Sequence, residues 1–327
     1  MNAPPGPRIL IVKTSSMGDV VHALPLASDL AARVPGARID WVVEEGFAAI
    51  PRLHPAVERV IPIALRRWRG QALRADTWRE FGAARMALKQ QRYHRIIDCQ
   101  GLLKSALFAR MADGPITGPD RESAREPVAA FLYHHAVPVD RRAHAIARNR
   151  ALGAAAFSYA IDDAPRFALQ APALAPGDLT ALSQRGPYAV LLTNASRATK
   201  LWPDVRWREL EAWLAAHGLH SLLPWGSVAE EAATRARASS MQAATVLPRI
   251  GLGDAAALLA GARVVVGLDT GLSHLAAAAG ARVVGLFCDY DPALVGLVGD
   301  APCVSLGGVD RSPAVSDVIA AIEQVLA

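Results

Sequence analysis

The chain has 327 residues, 52% of them hydrophobic and 20% charged, which is enough for a large core and, by length, for about two domains. No run of about 18 uninterrupted apolar residues predicts a membrane span, and the proline-rich start at residues 1–7 lacks the pattern of a signal peptide. The net charge of +5 hints at an acidic partner, and three widely spaced cysteines argue against a disulfide framework or a zinc site and suit a reducing cytoplasm.

The first half of the chain alternates short apolar runs with helical stretches, which is typical of parallel βαβ units. Strands are predicted over residues 8–12, 38–43, 57–63 and 94–98, and helices over 19–32, 45–53, 77–91 and 102–111. Residues 134–152 are interpreted as a helical connector that stops at Gly153. Residues 161–176, rich in alanine, aspartate and proline, are the best candidate for a linker.

The second half repeats this alternation. Strands are predicted over residues 188–192, 219–223, 246–247, 263–268 and 283–287, and helices over 203–217, 229–238, 253–260, 275–280 and 313–326. Ser312 is placed to cap the last helix, which is also a candidate for packing back on the N-terminal domain. The sequence therefore predicts an α/β protein of two Rossmann-like domains, residues 1–165 and 166–327, with a cleft between them.

Several common motifs of nucleotide and hydrolase chemistry are absent from the sequence. No G-x-x-x-x-G-K-[ST] occurs, no G-x-G-x-x-G follows the first strand, and no G-x-S-x-G appears. These absences disfavour a P-loop phosphotransferase, a nicotinamide dehydrogenase and a serine hydrolase. The D-T-G of residues 269–271 also occurs in aspartic proteases, but here it has one copy and a predicted helix follows it at once.

The stretch from Asp269 to His274 lies between a β-branched apolar run and an alanine-rich helix. Ligands of open parallel sheets bind outside the carboxyl ends of the strands, and a helix start suits a phosphate. The alternative interpretation is that Asp269 and Ser273 merely cap the helix.

Other polar residues follow predicted strands in the same way. Asp19 opens a helix, where it is either an N-terminal cap or a functional carboxylate. Lys200 can neutralise a diphosphate or lie solvated in its loop. Glu230 can accept hydrogen bonds from ribose hydroxyls or simply favour the helix dipole.

Basic residues concentrate in the first half, where three arginines surround Trp68 and Arg74, Arg121, Arg125, Arg141 and Arg142 follow. Guanidinium groups bind carboxylates and phosphates in bidentate fashion, so the cluster fits an anionic ligand or a phospholipid surface; a solvated loop is the alternative. Nucleic acid is disfavoured, because the sequence has no recognised DNA- or RNA-binding motif and no strongly basic helix.

Seven blocks of the sequence resemble the bacterial lipopolysaccharide heptosyltransferase I family, glycosyltransferase family 9. They are residues 13–19 (KTSSMGD), 41–47 (WVVEEGF), 66–69 (RRWR), 100–105 (QGLLKS), 124–127 (AREP), 223–226 (LPWG) and 269–274 (DTGLSH). The match runs in register from Arg8 to the C-terminal helix, which makes it far more specific than any single triplet.

This resemblance implies a GT-B fold, in which two Rossmann-like domains with parallel sheets face a central cleft, with the acceptor on the N-terminal domain and the donor on the C-terminal one. It implies transfer of L-glycero-D-manno-heptose from ADP-L-glycero-β-D-manno-heptose to the first Kdo of Kdo2-lipid A, with inversion, in lipopolysaccharide inner-core synthesis. It further implies that no metal or cofactor is required and that the enzyme is cytoplasmic and peripheral on the inner membrane.

The resemblance also assigns residues. Asp19 matches the catalytic base, a role that an inverting transfer requires for the proton of the acceptor hydroxyl. The donor-binding positions correspond to Ala195, Ser196, Lys200, Glu230, Ile250, Asp269, Thr270, Gly271 and His274, and the acceptor-binding positions to Ser16, Arg66, Arg67, Arg69, Lys104 and Arg125. Ala195 and Ile250 stand where the family often has Thr and Met. Lys200 and the helix start after Asp269 are suited to neutralise the leaving ADP.

Two alternatives stay open from the sequence. A sister enzyme that adds heptose to an already heptosylated acceptor, or that uses another nucleotide sugar, shares most of these features. A non-catalytic two-lobed sugar-binding protein shares the architecture, but such proteins are usually exported and no signal-peptide pattern is present.

Overall fold

The structure, a computed structural model, describes residues 6–174 and 177–327 and divides into two compact units, the first ending at Ala168 and the second beginning at Leu169. The strands of the first unit are β1 Arg8–Val12, β2 Arg38–Glu44, β3 Val57–Ile63, β4 Arg95–Asp98, β5 Ile116–Pro119 and β6 His135–Val137. Its helices are α1 Met17–Val21, α2 Leu24–Arg33, α3 Ala49–Arg52, α4 Leu65–Gly70, α5 Ala75–Lys89, α6 Leu103–Met111 and α7 Ala145–Phe157.

The second unit repeats the alternation of strands and helices. Its strands are β7 Tyr188–Leu192, β8 His220–Leu223, β9 Ala244–Val246, β10 Val264–Leu268, β11 Val283–Phe287 and β12 Cys303–Gly307. Its helices are α8 Asp178–Ser183, α9 Asp204–Ala216, α10 Val228–Ala238, α11 Leu252–Ala260, α12 Gly271–Ala278, α13 Pro292–Val295 and α14 Val315–Leu326. In the two described ranges, no helix is long and apolar enough to cross a bilayer.

Each unit contains one six-stranded parallel sheet, and the two sheets have the same topology. The strand order is β3-β2-β1-β4-β5-β6 in the first and β12-β11-β10-β7-β8-β9 in the second. In both sheets the first and fourth strands of the unit are neighbours, which is the point where the chain changes direction across the sheet and where α/β proteins bind ligands. The predicted α/β architecture of two Rossmann-like domains is confirmed.

Buried β-branched and aliphatic side chains explain the central strands. All five residues of β1, β7, β10 and β11 are buried, as expected for parallel strands covered on both faces by helices. The second unit has in addition an aromatic pair, Trp202 and Trp207, whose ring centroids lie 5.0 Å apart in an edge-to-face contact within its core. These rigid sheets hold the strand ends, and therefore the loops after them, in fixed positions.

Several predicted elements of the first unit are wrong in detail. Residues 134–152 do not form one helical connector, because they contain the strand β6 and the start of α7. Helix α7 continues past Gly153 and ends at Ser158, which adopts a left-handed conformation. The predicted helix 19–32 is two helices, α1 and α2, and the strand β5 was not predicted because its sequence Ile-Thr-Gly-Pro carries two residues that are rare inside strands.

The prediction for the cap of the last helix is also corrected. The last helix begins at Val315 with Ala314 as its N-cap, and Ser312 instead accepts a hydrogen bond from Arg206 at 2.9 Å. The apolar face of this helix is buried in the core of the second unit, beside β11 and α9. The candidate linker reaches residues 175 and 176, which lie outside the described ranges, as do residues 1–5 of the proline-rich start.

Candidate active site

In the first unit, Asp19 is held at the start of helix α1, just beyond the carboxyl end of β1. Its Oδ2 accepts hydrogen bonds from the backbone N–H and the hydroxyl of Ser16, both at 3.0 Å. The side chain is 18% exposed. Asp19 is therefore not the N-cap of the helix, which is Ser16, but the third residue of α1, and its Oδ2 bonds back to that N-cap. The second oxygen, Oδ1, is left to other partners.

Two cations face that second oxygen. Nη2 of Arg125 lies 3.0 Å from Oδ1, and Nζ of Lys13 lies 3.8 Å from it. Burial of the carboxyl group works to raise its pKa, but the two cations and the hydrogen bonds from Ser16 outweigh it, so the pKa of Asp19 lies below its ordinary value. Asp19 is therefore an ionised carboxylate at neutral pH.

Lys13 is a buried cation that was not predicted as a site residue. Its Nζ donates a hydrogen bond to the carbonyl oxygen of Cys99, the first residue after β4, at 2.8 Å. Burial lowers the pKa of Lys13, and Asp19 acts against that shift. The lysine thus ties the loop after β1 to the end of β4 and places positive charge beside the carboxylate.

A buried network behind these residues fixes the loop after β1. The side-chain oxygen of Gln100 accepts from the backbone N–H groups of Thr14 at 3.1 Å and Ser15 at 3.2 Å. Asp98, fully buried, accepts from the backbone N–H of Gln100 at 2.9 Å and from the hydroxyl of Tyr133 at 2.9 Å. Burial raises the pKa of Asp98. The network orients a loop and does not itself reach Asp19.

Arg125 reaches Asp19 because its loop passes close to the chain after β4. Gly101 has a φ of +66°, and a Cβ there would lie 3.3 Å from the backbone nitrogen of Arg125. Its carbonyl oxygen accepts from the backbone N–H of Glu126 at 3.0 Å. Lys13, Asp19 and Arg125 line a cavity of about 50 Å³ together with Arg148 of α7. This is enough for a few water molecules or one small polar group.

The arginines around Trp68 lie on helix α4 and differ in their contacts. Arg67 is bound in ion pairs to Glu45 at 3.0 Å and Glu80 at 2.9 Å. Arg66 lies over the ring of Phe47, 5.5 Å from its centroid, and Arg69 is exposed. Of the six predicted acceptor-binding residues, the structure brings Ser16 and Arg125 into contact with Asp19; Lys104 is exposed on α6.

In the second unit, Asp269 is the first residue after β10 and is buried. Its Oδ2 forms an ion pair with Nζ of Lys200, whose Nζ also donates to the carbonyl oxygen of Asp269 at 3.2 Å. Nε2 of His274 lies 3.5 Å from Oδ1. Burial works to raise the pKa of Asp269, but His274 and Lys200 outweigh it and lower the pKa. Three of the predicted donor-binding residues therefore form one cluster.

Neither Asp269 nor Ser273 caps helix α12, which follows this cluster. Thr270 is the N-cap of α12 and makes no side-chain capping bond. The hydroxyl of Ser273 donates to the carbonyl of Leu268 at 2.6 Å, an approach that Gly267 permits, since a Cβ there would lie 2.4 Å from that hydroxyl. The capping interpretation of Asp269 and Ser273 is therefore wrong, because the N-cap is Thr270 and the Ser273 hydroxyl bonds to the preceding strand.

The remaining predicted donor-binding residues have more ordinary surroundings. Glu230 forms a capping box on α10: its Oε2 accepts from the backbone N–H groups of Gly226 at 2.7 Å and Ser227 at 3.2 Å. Ala195 packs against the core, Ile250 is half-buried in the loop before α11, and Ser196 is exposed in the loop after β7. In the described parts of the chain, no group of three His, Cys, Asp or Glu side chains is arranged to hold a metal ion.

Known proteins resemble this chain over most of its length. The profile of the family described as Glycosyltransferase family 9 (heptosyltransferase) matches residues 82–317. The chain is 45% identical to lipopolysaccharide heptosyltransferase 1 of Pseudomonas aeruginosa over 309 residues, 90% of this chain and 85% of that one. It is 44% identical to the protein of the same name from Escherichia coli K12 over 291 residues, 88% and 90% of the two chains.

Solved structures give the same relationship. Escherichia coli heptosyltransferase WaaC with ADP superposes with a TM-score of 0.86 at 39% identity, covering 97% of this chain and 99% of that one. WaaC with ADP-2-deoxy-2-fluoro heptose gives a TM-score of 0.83 at 38% identity, with the same coverage. Escherichia coli ADP-heptose heptosyltransferase II shares the fold, with a TM-score of 0.77 at 21% identity and 98% coverage of both chains.

Proposed function

The chain belongs to glycosyltransferase family 9, the heptosyltransferases, and on that premise we propose that it transfers L-glycero-D-manno-heptose from ADP-heptose to the first Kdo of Kdo2-lipid A, with inversion. It is a glycosyltransferase of lipopolysaccharide inner-core synthesis. The observation that carries the proposal is Asp19: an ionised carboxylate at the end of the first strand, with one oxygen anchored by Ser16 and the other facing two cations.

Asp19 acts as the general base in the proposed reaction. The acceptor hydroxyl oxygen bonds to C1 of heptose while the bond from C1 to the ADP oxygen breaks, and that electron pair leaves with ADP. The hydroxyl proton passes to Asp19, whose two oxygens offer about four lone-pair sites and so retain room beside the bonds already made. Because the pKa of Asp19 is low, it takes the proton only as the new bond to C1 makes the hydroxyl acidic.

The second unit serves the donor. The leaving diphosphate gains negative charge, and Lys200 is a cation suited to neutralise it together with the backbone N–H groups at the start of α12. Asp269 holds Lys200 in place through an ion pair and through a hydrogen bond to the Asp269 backbone carbonyl. The other carboxylate oxygen of Asp269, Oδ1, faces His274. Asp269 is in turn the acceptor for heptose hydroxyls in the proposal, and Glu230 for those of the ribose.

The basic residues of the first unit serve the acceptor, which is phosphorylated and carries carboxylates. Arg66, Arg69 and Lys104 are exposed, and Arg125 is 49% exposed, so each can reach an anionic group from solvent. Arg67 has a different part in the proposal: bound to Glu45 and Glu80, it holds helix α4 in place. We place the enzyme in the cytoplasm, peripheral on the inner membrane, because its acceptor is a lipid, and we expect it to need no metal.

Release of ADP tests this function against its alternatives. We expect ADP to appear when ADP-heptose and Kdo2-lipid A are both present, and not with an already heptosylated acceptor. Release with the heptosylated acceptor alone would assign the chain to the sister activity. A protein that binds ADP-heptose but releases ADP with neither acceptor would be the non-catalytic sugar-binding protein.

A further inference from the structure

The turn between helices α4 and α5 presents two large apolar side chains to solvent. Leu73 at its tip is fully exposed, and Trp78, in the first turns of α5, is 63% exposed. Exposing an indole and an isobutyl group is unfavourable in water, by about 25 cal/mol for each Å² of apolar surface. An exposed apolar patch on the surface of a soluble protein is typical of a contact with a partner.

Contacts with the turn and with a neighbouring ring hold the side chain of Trp78 in place. The indole N–H of Trp78 donates to the carbonyl oxygen of Ala72 at 2.9 Å, which fixes the ring against the turn. The ring also makes an edge contact with Phe81 at 6.2 Å, and Phe81 contacts the buried Trp68 at 5.9 Å. Trp78 is therefore connected through Phe81 to the core of the first unit.

Positive charge surrounds the apolar pair. Residues 66–79 contain five arginines and one acidic residue, Asp76. Asp76 lies 3.0 Å from Arg79 and 3.9 Å from Arg74, but ion pairs this exposed contribute little and leave the excess of positive charge in place. Arg67 is neutralised by Glu45 and Glu80, so the net charge around Leu73 comes from the other arginines.

We propose that residues 69–79, the docking turn, bind the surface of an anionic phospholipid bilayer, with Leu73 and Trp78 entering the headgroup region. Tryptophan favours this region because its ring is apolar and its N–H polar, and arginines keep their charge at the phosphate level while their stems lie along apolar surface. Basic residues near such a surface each add to the attraction. The inference rests on the proposed location of the enzyme and names the surface that makes the contact.

Vesicle sedimentation of the full chain tests the proposal directly. The wild-type protein should bind vesicles of phosphatidylglycerol and phosphatidylcholine, and should not bind phosphatidylcholine alone. The double variant Leu73→Asp, Trp78→Ser should lower partition into the anionic vesicles by about tenfold or more, since it removes the apolar contact. Arg74→Gln and Arg79→Gln should each lower it roughly fivefold, and added salt should do the same to the wild type.

Val205→Asp is the matched control, because Val205 is 61% exposed on helix α9 of the second unit and belongs to neither cluster. It should bind vesicles as the wild type does. The proposal is overturned if the wild type ignores anionic vesicles, if it binds neutral ones equally, or if the docking-turn variants bind as well as Val205→Asp. Turnover of a water-soluble, deacylated acceptor by the same variants should stay at the wild-type level, and this assay reports separately on the proposed function.

Discussion

The two units share one hydrogen bond between a lysine and a backbone carbonyl, but they differ in where the carboxylate beside that lysine lies. In each, a lysine from the loop after the first strand donates to the carbonyl oxygen of the residue that follows the fourth strand. Lys13 reaches Cys99 at 2.8 Å after β4, and Lys200 reaches Asp269 at 3.2 Å after β10. Both lysines lie where the chain changes direction across its sheet.

The carboxylates differ in where they stand relative to that lysine. In the second unit the carboxylate belongs to Asp269 itself, is buried and is paired directly with Lys200. In the first unit the equivalent position is Cys99, and the carboxylate is Asp19 at the start of helix α1, 3.8 Å from Lys13 and in contact with the half-exposed Arg125. A buried carboxylate paired directly with a lysine is suited to binding, whereas one faced by a half-exposed arginine can be freed to take a proton.

Replacing Asp19 or Asp269 by asparagine should give the largest difference between catalysis in the first unit and donor binding in the second. Asp19→Asn removes the base, so kcat should fall by about 10²–10⁴-fold while ADP-heptose still binds. Asp269→Asn leaves Lys200 without its ionised partner and should weaken ADP-heptose binding instead. Steady-state kinetics and calorimetric titration of the donor measure the two effects. Near-normal turnover by Asp19→Asn would remove it from the role of base.

Methionine at the two lysines should give the next largest effect. Lys200→Met should lower kcat by about 10²–10³-fold and weaken ADP binding, because the cation that faces the leaving group is gone. Lys13→Met should leave ADP binding unchanged and act through Asp19 alone. Titration of both variants with ADP gives the comparison, and equal losses of ADP affinity would contradict the division of labour.

A smaller effect is expected from Arg125 on the pH dependence of the reaction. Activity is lost as pH falls through the pKa of Asp19, because the protonated carboxyl cannot act as a base. Arg125 lowers that pKa, so Arg125→Gln should raise it and move the acid limb of the kcat/KM profile to higher pH. Arg125→Lys, which keeps the charge, should leave the limb near its wild-type position.

Chelation should have the smallest effect. With EDTA present and no divalent salt added, we expect the transfer rate to stay at its original level, since Lys200 and the start of α12 supply the charge that a metal would otherwise provide. A loss of activity that Mg²⁺ or Mn²⁺ restores would show that the second unit needs a metal to neutralise ADP.

The central strands, and the polar residues that follow them, could be predicted from sequence because their causes are local. Runs such as Ile9 to Val12 predict buried parallel strands, and polar residues after them predict a site at the strand ends. The strands β5, β6 and β12 were not predicted from sequence. Each is short, contains glycine or proline, or lies near a sheet edge, and its pairing depends on neighbours far along the chain.

Long-range contacts explain what the sequence left undecided within the site. Lys13 is the first residue of the KTSSMGD block, but its role depends on a contact with Cys99, 86 residues away. The ion pair of Asp19 with Arg125 joins residues 106 positions apart in the chain. The ion pair of Arg67 with Glu45 connects the blocks 66–69 and 41–47, and nothing in either block alone indicates that contact. Asp98 and Tyr133 carry no pattern of their own, and only the packed fold shows that they orient the loop before Asp19.

The product formed from ADP-L-glycero-β-D-manno-heptose and Kdo2-lipid A tests the central claim most directly. Mass spectrometry should show one heptose added for each ADP released, and NMR of the product should show an α linkage on the first Kdo, as inversion at C1 requires. A product with a retained β linkage, heptose on another residue, or no added heptose at all would contradict the account.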